Sequence, residues 1–281
     1  MILRIIIFIE HLLPSRLLHW LAGLAGKLGH KLLKKDRRIA EKNLEIAFPN
    51  ISEQKKYELA RSCFIQSALN LSDSIRTMGI IFADPPLYDV EGGEEMDKYY
   101  ANYGGGIVIT GHIGCFELIP GICVNMGYKV GVVGRRLYDP RIDKILVRQR
   151  EKMGVFNIPS DAHPRTVITL IKKGYFIGTL MDTFTKSVDG REASFFGRRV
   201  RTISAPIALS RLIKRPVLPM SIRRNNGERF ILKIRPPIEI PITDNTDRDV
   251  AEGIERANRV LEEMIREYPE QWIWYHNRFR T

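Results

Sequence analysis

The sequence predicts an α/β fold with a mostly parallel central sheet flanked by helices, preceded by an N-terminal helical membrane-associating segment. Three observations predict the sheet. The stretch Gly104-Gly105-Gly106-Ile107-Val108-Ile109-Thr110-Gly111-His112 is a glycine turn, a β-branched run and a histidine where the run stops. A short run of that kind bounded by glycines reads as a strand buried on both faces, as parallel sheets require. Strand-like runs at 129–133 and 175–181 are separated from it and from each other by helical patterns. Finally, His112, Arg135 and Asp182 fall just beyond these three strands. If the strands are parallel, the three side chains meet at one sheet edge, which is where open α/β sheets place their ligands.

Size and composition bound the rest. A chain of 281 residues with 44% hydrophobic content forms one large domain, or a domain with a helical appendage, and can bury a full core. The division expected is 1–35 as an amphipathic membrane-associating segment and 36–281 as the main domain. Within the latter, 36–86 is a helical lead-in and 87–281 the α/β core. Cys63, Cys115 and Cys123 have neither disulfide-framework nor metal-ligand spacing and fit a reducing compartment. The net charge of +12 favours an anionic membrane surface or acidic partners. Zinc-finger spacing, RNP-like aromatics and a recognition helix are all missing from the sequence, which argues against nucleic acid.

Taken in order, 2–9 is apolar apart from Arg4, and 17–26 is a second uncharged run. Each is too short to span a bilayer, which needs about 20 apolar residues. Lys27, His30, Lys31, Lys34, Lys35, Arg37, Arg38 and Lys42 follow. An apolar helix followed by a basic cluster is the pattern of a segment lying in the interface of an anionic leaflet. Residues 36–80 read as helices, with Ser52 as an N-cap, and Asp84-Pro85-Pro86 ends them. Residues 99–106 lead into the central strand. The apolar 118–126 segment suits a buried helix, with Pro120 tolerable near its start. Helices are predicted at 140–153, with Arg150 in the last turn, and at 161–173, ended by Gly174. Residues 190–202 read either as a hairpin with a packed Phe195–Phe196 pair or as a flap whose arginines grip phosphates. A helix at 202–213, strands at 217–222 and 229–234 joined by Asn225-Asn226-Gly227, and an amphipathic helix at 249–268 complete the pattern. The aromatic end, Gln271-Trp272-Ile273-Trp274-Tyr275-His276, either packs under the sheet or lies at a membrane surface.

The chemistry centres on His112 and Glu117. A carboxylate five residues on can fold back and fix the imidazole tautomer, so that the other nitrogen acts as a base toward a hydroxyl. With 6 histidines and 32 acidic residues in the chain, the spacing alone carries no weight, and a strand-end histidine beside a helix-capping glutamate is the plainer account. Backbone N–H groups near Gly114 and the Arg135 guanidinium are the two candidates to stabilise an oxyanion.

The surrounding blocks change that balance. The Gly111-His112-Ile113-Gly114 through Glu117 block resembles the His-x4-acid motif of glycerolipid and lysophospholipid acyltransferases. Arg38-Ile39-Ala40-Glu41-Lys42-Asn43-Leu44, Ala47-Phe48-Pro49, Arg135, Asp139-Pro140, Arg150, Gly154, Asp182, Phe195-Phe196-Gly197, Thr202, Pro269 to His276 and Arg278 stand in the order found in the bacterial lipid A biosynthesis (lauroyl/myristoyl) acyltransferases. The chain is similar to that family from about residue 10 to its end. The resemblance implies an acyl carrier protein donor, a lipid A precursor whose hydroxyl is acylated, and no metal or bound cofactor. It further implies a place on the cytoplasmic face of the bacterial inner membrane, peripheral or N-terminally anchored. It implies His112 as base and Glu117 as its partner. Arg135, Arg150, Asp182, Arg198 and Arg199 become substrate-binding candidates, with Arg150 and Asp182 as a possible ion pair, and the 118–126 segment a candidate wall for an acyl-chain slot. Cys115-Phe116 stands where the family usually has Asn-Trp, and Arg201 where a small residue is usual, so acceptor and chain length stay open. Another glycolipid or lysolipid acceptor, or thioester hydrolysis, is the alternative. The chain lacks the Gly-x-Ser-x-Gly nucleophile elbow and the full dinucleotide fingerprint.

Overall fold

The computed structural model describes residues 13–135, 138–183, 189–225 and 227–279. The apolar 2–9 run lies outside them. Among the described residues four helices come first: α1 (Ser15–Leu32), α2 (Lys34–Ala47), α3 (Glu53–Ile75) and α4 (Thr77–Ile81). The Ser52 hydroxyl caps α3 by accepting from the Lys55 N–H. Then follow β1 (Tyr88–Glu91), α5 (Gly93–Tyr103), β2 (Gly106–Thr110), α6 (Leu118–Asn125), β3 (Lys129–Gly134), α7 (Pro140–Lys152), β4 (Phe156–Pro159), α8 (Pro164–Lys172) and β5 (Tyr175–Leu180). The chain continues through the hairpin β6 (Gly190–Phe195) and β7 (Arg198–Ile203), then α9 (Ala205–Ile213), β8 (Val217–Arg224), β9 (Phe230–Ile234) and α10 (Thr246–Glu267).

Seven strands form the central sheet in the order β1-β9-β8-β2-β5-β3-β4. Strand β2 is fully buried and runs parallel to β5 on one side and β8 on the other. All neighbours are parallel except β8 and β9. These two are joined by a short turn closed by the Asn225 N–H on the Arg229 carbonyl, and a connection that tight admits only antiparallel pairing. Alternate β2 residues face opposite layers. Ile107 and Ile109 join α2, α3, α10 and the C-terminal tryptophans, whereas Val108 joins α4, α5, α6 and residues of β3, β5, β8 and β9.

The structure departs from the sequence-based expectations in several places. Residues 93–103 are helical, where the sequence suggested only a lead-in to β2, and 156–159 is a strand that its four residues made hard to see. The 118–126 segment, expected as a slot wall, packs into the core. Leu118, Ile119 and Ile122 are buried in the core, and Gly121 sits against Ile81 and Met153. The C-terminal aromatics pack inward, with Trp272 and Trp274 buried. No described helix is long and apolar enough to cross a membrane.

Helix α1 lies along α3. At Gly26 the approach is so close that a Cβ would sit 2.5 Å from the Ile65 Cα, while His30 meets Tyr57 and Phe64 edge-on, with ring centroids 5.1 and 5.6 Å away. Gly26→Ala therefore forces the helices apart. Although alanine is the better helix former by about 1 kcal/mol, overpacking costs about 1–3 kcal/mol. The expected net result is a lower urea midpoint at an unchanged denaturant slope.

Candidate active site

The register of the parallel pair β2–β5 builds the site. Thr110 lies opposite Leu180, so His112 and Asp182, each two residues further on, leave the sheet side by side. The Asp182 carboxylate is wholly buried and meets three donors. Its Oδ1 lies 2.9 Å from His112 Nδ1. Its Oδ2 accepts from the His112 backbone N–H at 2.7 Å and from the Trp272 indole N–H at 2.7 Å. Gly111 leaves room for this, since a Cβ there would fall 3.1 Å from the carboxylate carbon. An ionised carboxylate accepts only, so Nδ1 carries the proton and Nε2 keeps its lone pair. The imidazole side chain is 23% exposed and rests edge-on against Phe116, centroids 4.8 Å apart.

Electrostatics follow from this packing. Burial disfavours the imidazolium, but the charge and hydrogen bond of Asp182, aided by the charge of Glu117, outweigh it and raise the His112 pKa above its ordinary value. Burial likewise pushes Asp182 up, yet His112, the Trp272 indole and the backbone N–H together hold it down at about 2. His276 lies within reach of the same charges. Burial, the His112 charge and the Arg278 charge lower its pKa against the opposing pull of Asp182.

Glu117 does not orient His112. It takes a bidentate grip from Arg150, with Nε 3.1 Å from Oε2 and Nη2 2.7 Å from Oε1. Arg150 and Asp182 are thus no ion pair: each has a different partner. Arg150 is at the same time more than a cation at a helix end, because its Nη1 reaches the carboxyl end of β3 beside Gly134. Arg135 stands one strand beyond Asp182 on the same edge and is exposed.

The Gly114 N–H is engaged by the Gln271 carbonyl at 2.9 Å, so it does not serve as an oxyanion donor. Gly114 itself is required: its φ is +56°, and a Cβ would fall 2.2 Å from the Ile222 carbonyl oxygen. The hairpin β6–β7 is the packed alternative of the two expected. Phe195 and Phe196 are buried, and Arg199 donates to Glu255 on α10 and to the Glu192 carbonyl. Arg198 is exposed beside the turn.

Two clamps were not legible as such. Asn43 of α2 donates to the Trp274 and His276 carbonyls at 2.7 and 2.8 Å. Gln271 accepts from the Arg224 N–H and donates to the Arg224 carbonyl. Both residues stand in the sequence blocks that carry the family resemblance, and that was the only signal for them.

The order of these blocks agrees with the sequence comparison. Residues 1–281 match the family described as bacterial lipid A biosynthesis acyltransferase. The chain belongs to this family. It is an acyltransferase. It is 25% identical over 278 residues to the lipid A biosynthesis palmitoleoyltransferase of Escherichia coli K12, covering 96% of this chain and 87% of the relative. Identity is 24% over the same span to the lauroyltransferase of that strain. To its myristoyltransferase it is 22% over 264 residues, covering 93% of this chain and 79% of the relative.

Activity of this acyltransferase that depends on a neutral His112 rises with pH as the imidazole loses its proton, with a midpoint above the ordinary histidine value. Asp182→Asn removes the charge that raises this pKa. The acidic limb of kcat/KM then moves to lower pH, and, if His112 is the base, kcat falls by about 10²–10⁴ as the imidazole loses its orientation. A pH–rate profile of the two forms checks both.

Proposed function

We propose that the protein moves a fatty acyl chain from acyl carrier protein to a hydroxyl of a lipid A precursor, at the cytoplasmic face of the bacterial inner membrane. The observation that carries the mechanism is the His112–Asp182 pair, which leaves Nε2 as the imidazole's acceptor on a partly open face. In this mechanism, Nε2 removes the acceptor hydroxyl proton as the oxygen attacks the thioester carbonyl. The imidazolium is stabilised by the Asp182 charge. Collapse of the tetrahedral intermediate breaks the C–S bond, and the proton on Nε2 passes to the departing thiolate. Glu117 acts by holding Arg150 at the site, and Arg150 and Arg135 supply positive charge at the sheet edge.

The named relatives, palmitoleoyl-, lauroyl- and myristoyltransferases of lipid A biosynthesis, support the acceptor class. A chain of +12 net charge suits both an acidic carrier and a phosphorylated acceptor. Helix α1 supports residence at a membrane. Leu17, Trp20, Leu21, Leu24, Leu28 and Leu32 are exposed along one face of it, Trp20 at 63% and Leu32 at 70%. Lys31 at its end and Lys34, Lys35, Arg38 and Lys42 on the helix that follows are exposed. An apolar stripe next to a basic cluster is the composition of an interfacial helix.

Membrane fractions supplied with labelled acyl-carrier-protein thioesters and a tetraacylated lipid A precursor test this. Wild type should transfer the label to the glycolipid, and His112→Ala should lower kcat by roughly 10²–10⁴ without losing its fold. Glu117→Ala should lose activity together with thermal stability, because Arg150 is left without its carboxylate. Absence of transfer by folded wild type would overturn the acceptor.

A further inference from the structure

Arg224 ends strand β8, which runs parallel to β2. It therefore stands on the same sheet edge as His112 and Asp182, although no family block pointed to it. Its side chain is only 7% exposed. Asp73 of α3 holds one edge of the guanidinium through Nη2, and the ring of Phe230 lies beneath it at 4.8 Å. Among the described residues its buried Nη1 has no hydrogen-bond partner. A guanidinium donor left in that condition costs free energy unless something accepts from it.

What adjoins it is a groove of about 420 Å³ between α1, α3 and the β8–β9 turn, lined by Trp20, Gly23, Leu24, Lys27, Ile65 and Leu69 as well as Arg224 itself. That volume falls within the roughly 300–1,000 Å³ of small-molecule sites. Its walls are largely apolar, His19 and Gly227 complete the lining, and its cationic groups are Arg224, already paired with Asp73, and the exposed Lys27. Trp20 and Leu24 belong both to the groove and to the exposed stripe of α1, so the groove opens where α1 presents hydrocarbon-binding surface. From Arg224 a chain of contacts leads toward the histidine loop. Arg224 donates to the Asn70 side chain, and the Asn70 carbonyl lies 3.6 Å from the Cys115 thiol, three residues past His112.

We propose that this groove holds the acceptor: a phosphate of the glycolipid on Arg224 and Lys27, and one of its acyl chains along Trp20, Leu24, Ile65 and Leu69. The assignment rests on the acyl-transfer reading and names the acceptor's seat within it. A bilayer phospholipid would also bring phosphate and hydrocarbon. The connection from Arg224 through Asn70 to the Cys115 loop favours the lipid that reacts.

Gly23 supplies the test. A Cβ built there meets nothing within 4 Å, so Gly23→Leu fills the groove while improving the helix, and Lys27→Gln changes only an exposed charge. Steady-state transfer is measured with the bisphosphorylated acceptor and with its dephosphorylated form. Gly23→Leu is expected to raise the acceptor KM tenfold or more with less than a threefold change in kcat, and to leave the thioester KM in place. Lys27→Gln is expected to narrow the preference for the phosphorylated acceptor severalfold. An unchanged acceptor KM in Gly23→Leu overturns the proposal, as does a shift confined to the thioester KM. Loss of phosphatidylglycerol-vesicle binding with the acceptor KM intact assigns the groove to a bilayer lipid and overturns it too. Binding is read separately, by quenching of tryptophan fluorescence with a brominated-chain form of the phosphorylated glycolipid in detergent. Wild type that binds this probe but does not transfer to the glycolipid, with binding lost in Gly23→Leu, sustains the groove and refutes the acyl-transfer reading. Wild type that transfers, but whose binding survives in Gly23→Leu, refutes the groove alone.

Discussion

The site depends on one buried charge. Asp182 has no exposed surface, and a carboxylate so placed is tolerable only when donors surround it. Its donors come from two separate places, the loop after β2 and the C-terminal segment. None of the three has its geometry unless the β2–β5 register, the turn at Gly111 to Gly114 and the seat of Trp272 are all correct together. The imidazole is thus fixed as a consequence of satisfying the carboxylate. The same contact that orients the imidazole also raises its proton affinity.

The C-terminal segment adds polar ties between the lead-in helices and the sheet. Gln271 ties the end of β8 to the histidine loop, through its side chain on Arg224 and its carbonyl on Gly114. Asn43 carries the tie across to α2. Further on, Arg278 is buried, donates to the Thr202 hydroxyl at 2.7 Å and lies over the Phe195 ring at 4.9 Å. Burial lowers its pKa to about 10, against the opposing charge of Asp182. Polar side chains at these points meet backbone carbonyls and hydroxyls that the core would otherwise leave unpaired. This accounts for their place in an otherwise aromatic stretch.

Much of the fold was legible because the local signals were strong. The β-branched run ending at His112, the helix ended by Gly174 and the turn after Asn225 rest on backbone sterics that a few residues determine. Elements of low local contrast were less visible. Strand β4 has four residues, and the 93–103 helix carries mixed apolar and acidic positions. The fate of the amphipathic pieces was not legible either. Trp272 and Trp274 suit a core or a membrane surface equally well by composition, and only the hydrogen bonds of their indoles, to Asp182 and to the Pro269 carbonyl, place them inside.

By itself the sequence determined that His112, Arg135 and Asp182 fall just beyond three strands, and that the chain carries the blocks of an acyltransferase family; that the strands are parallel, with β5 between β2 and β3, came from the structure. The sequence did not determine which carboxylate serves which cation. Glu117 is five residues from His112 but turns to Arg150, whereas Asp182, seventy residues away, is the one that meets the imidazole. The reason is geometric. Separation along the chain limits which groups can meet only locally, while the register of two hydrogen-bonded strands sets side by side residues that the sequence keeps far apart.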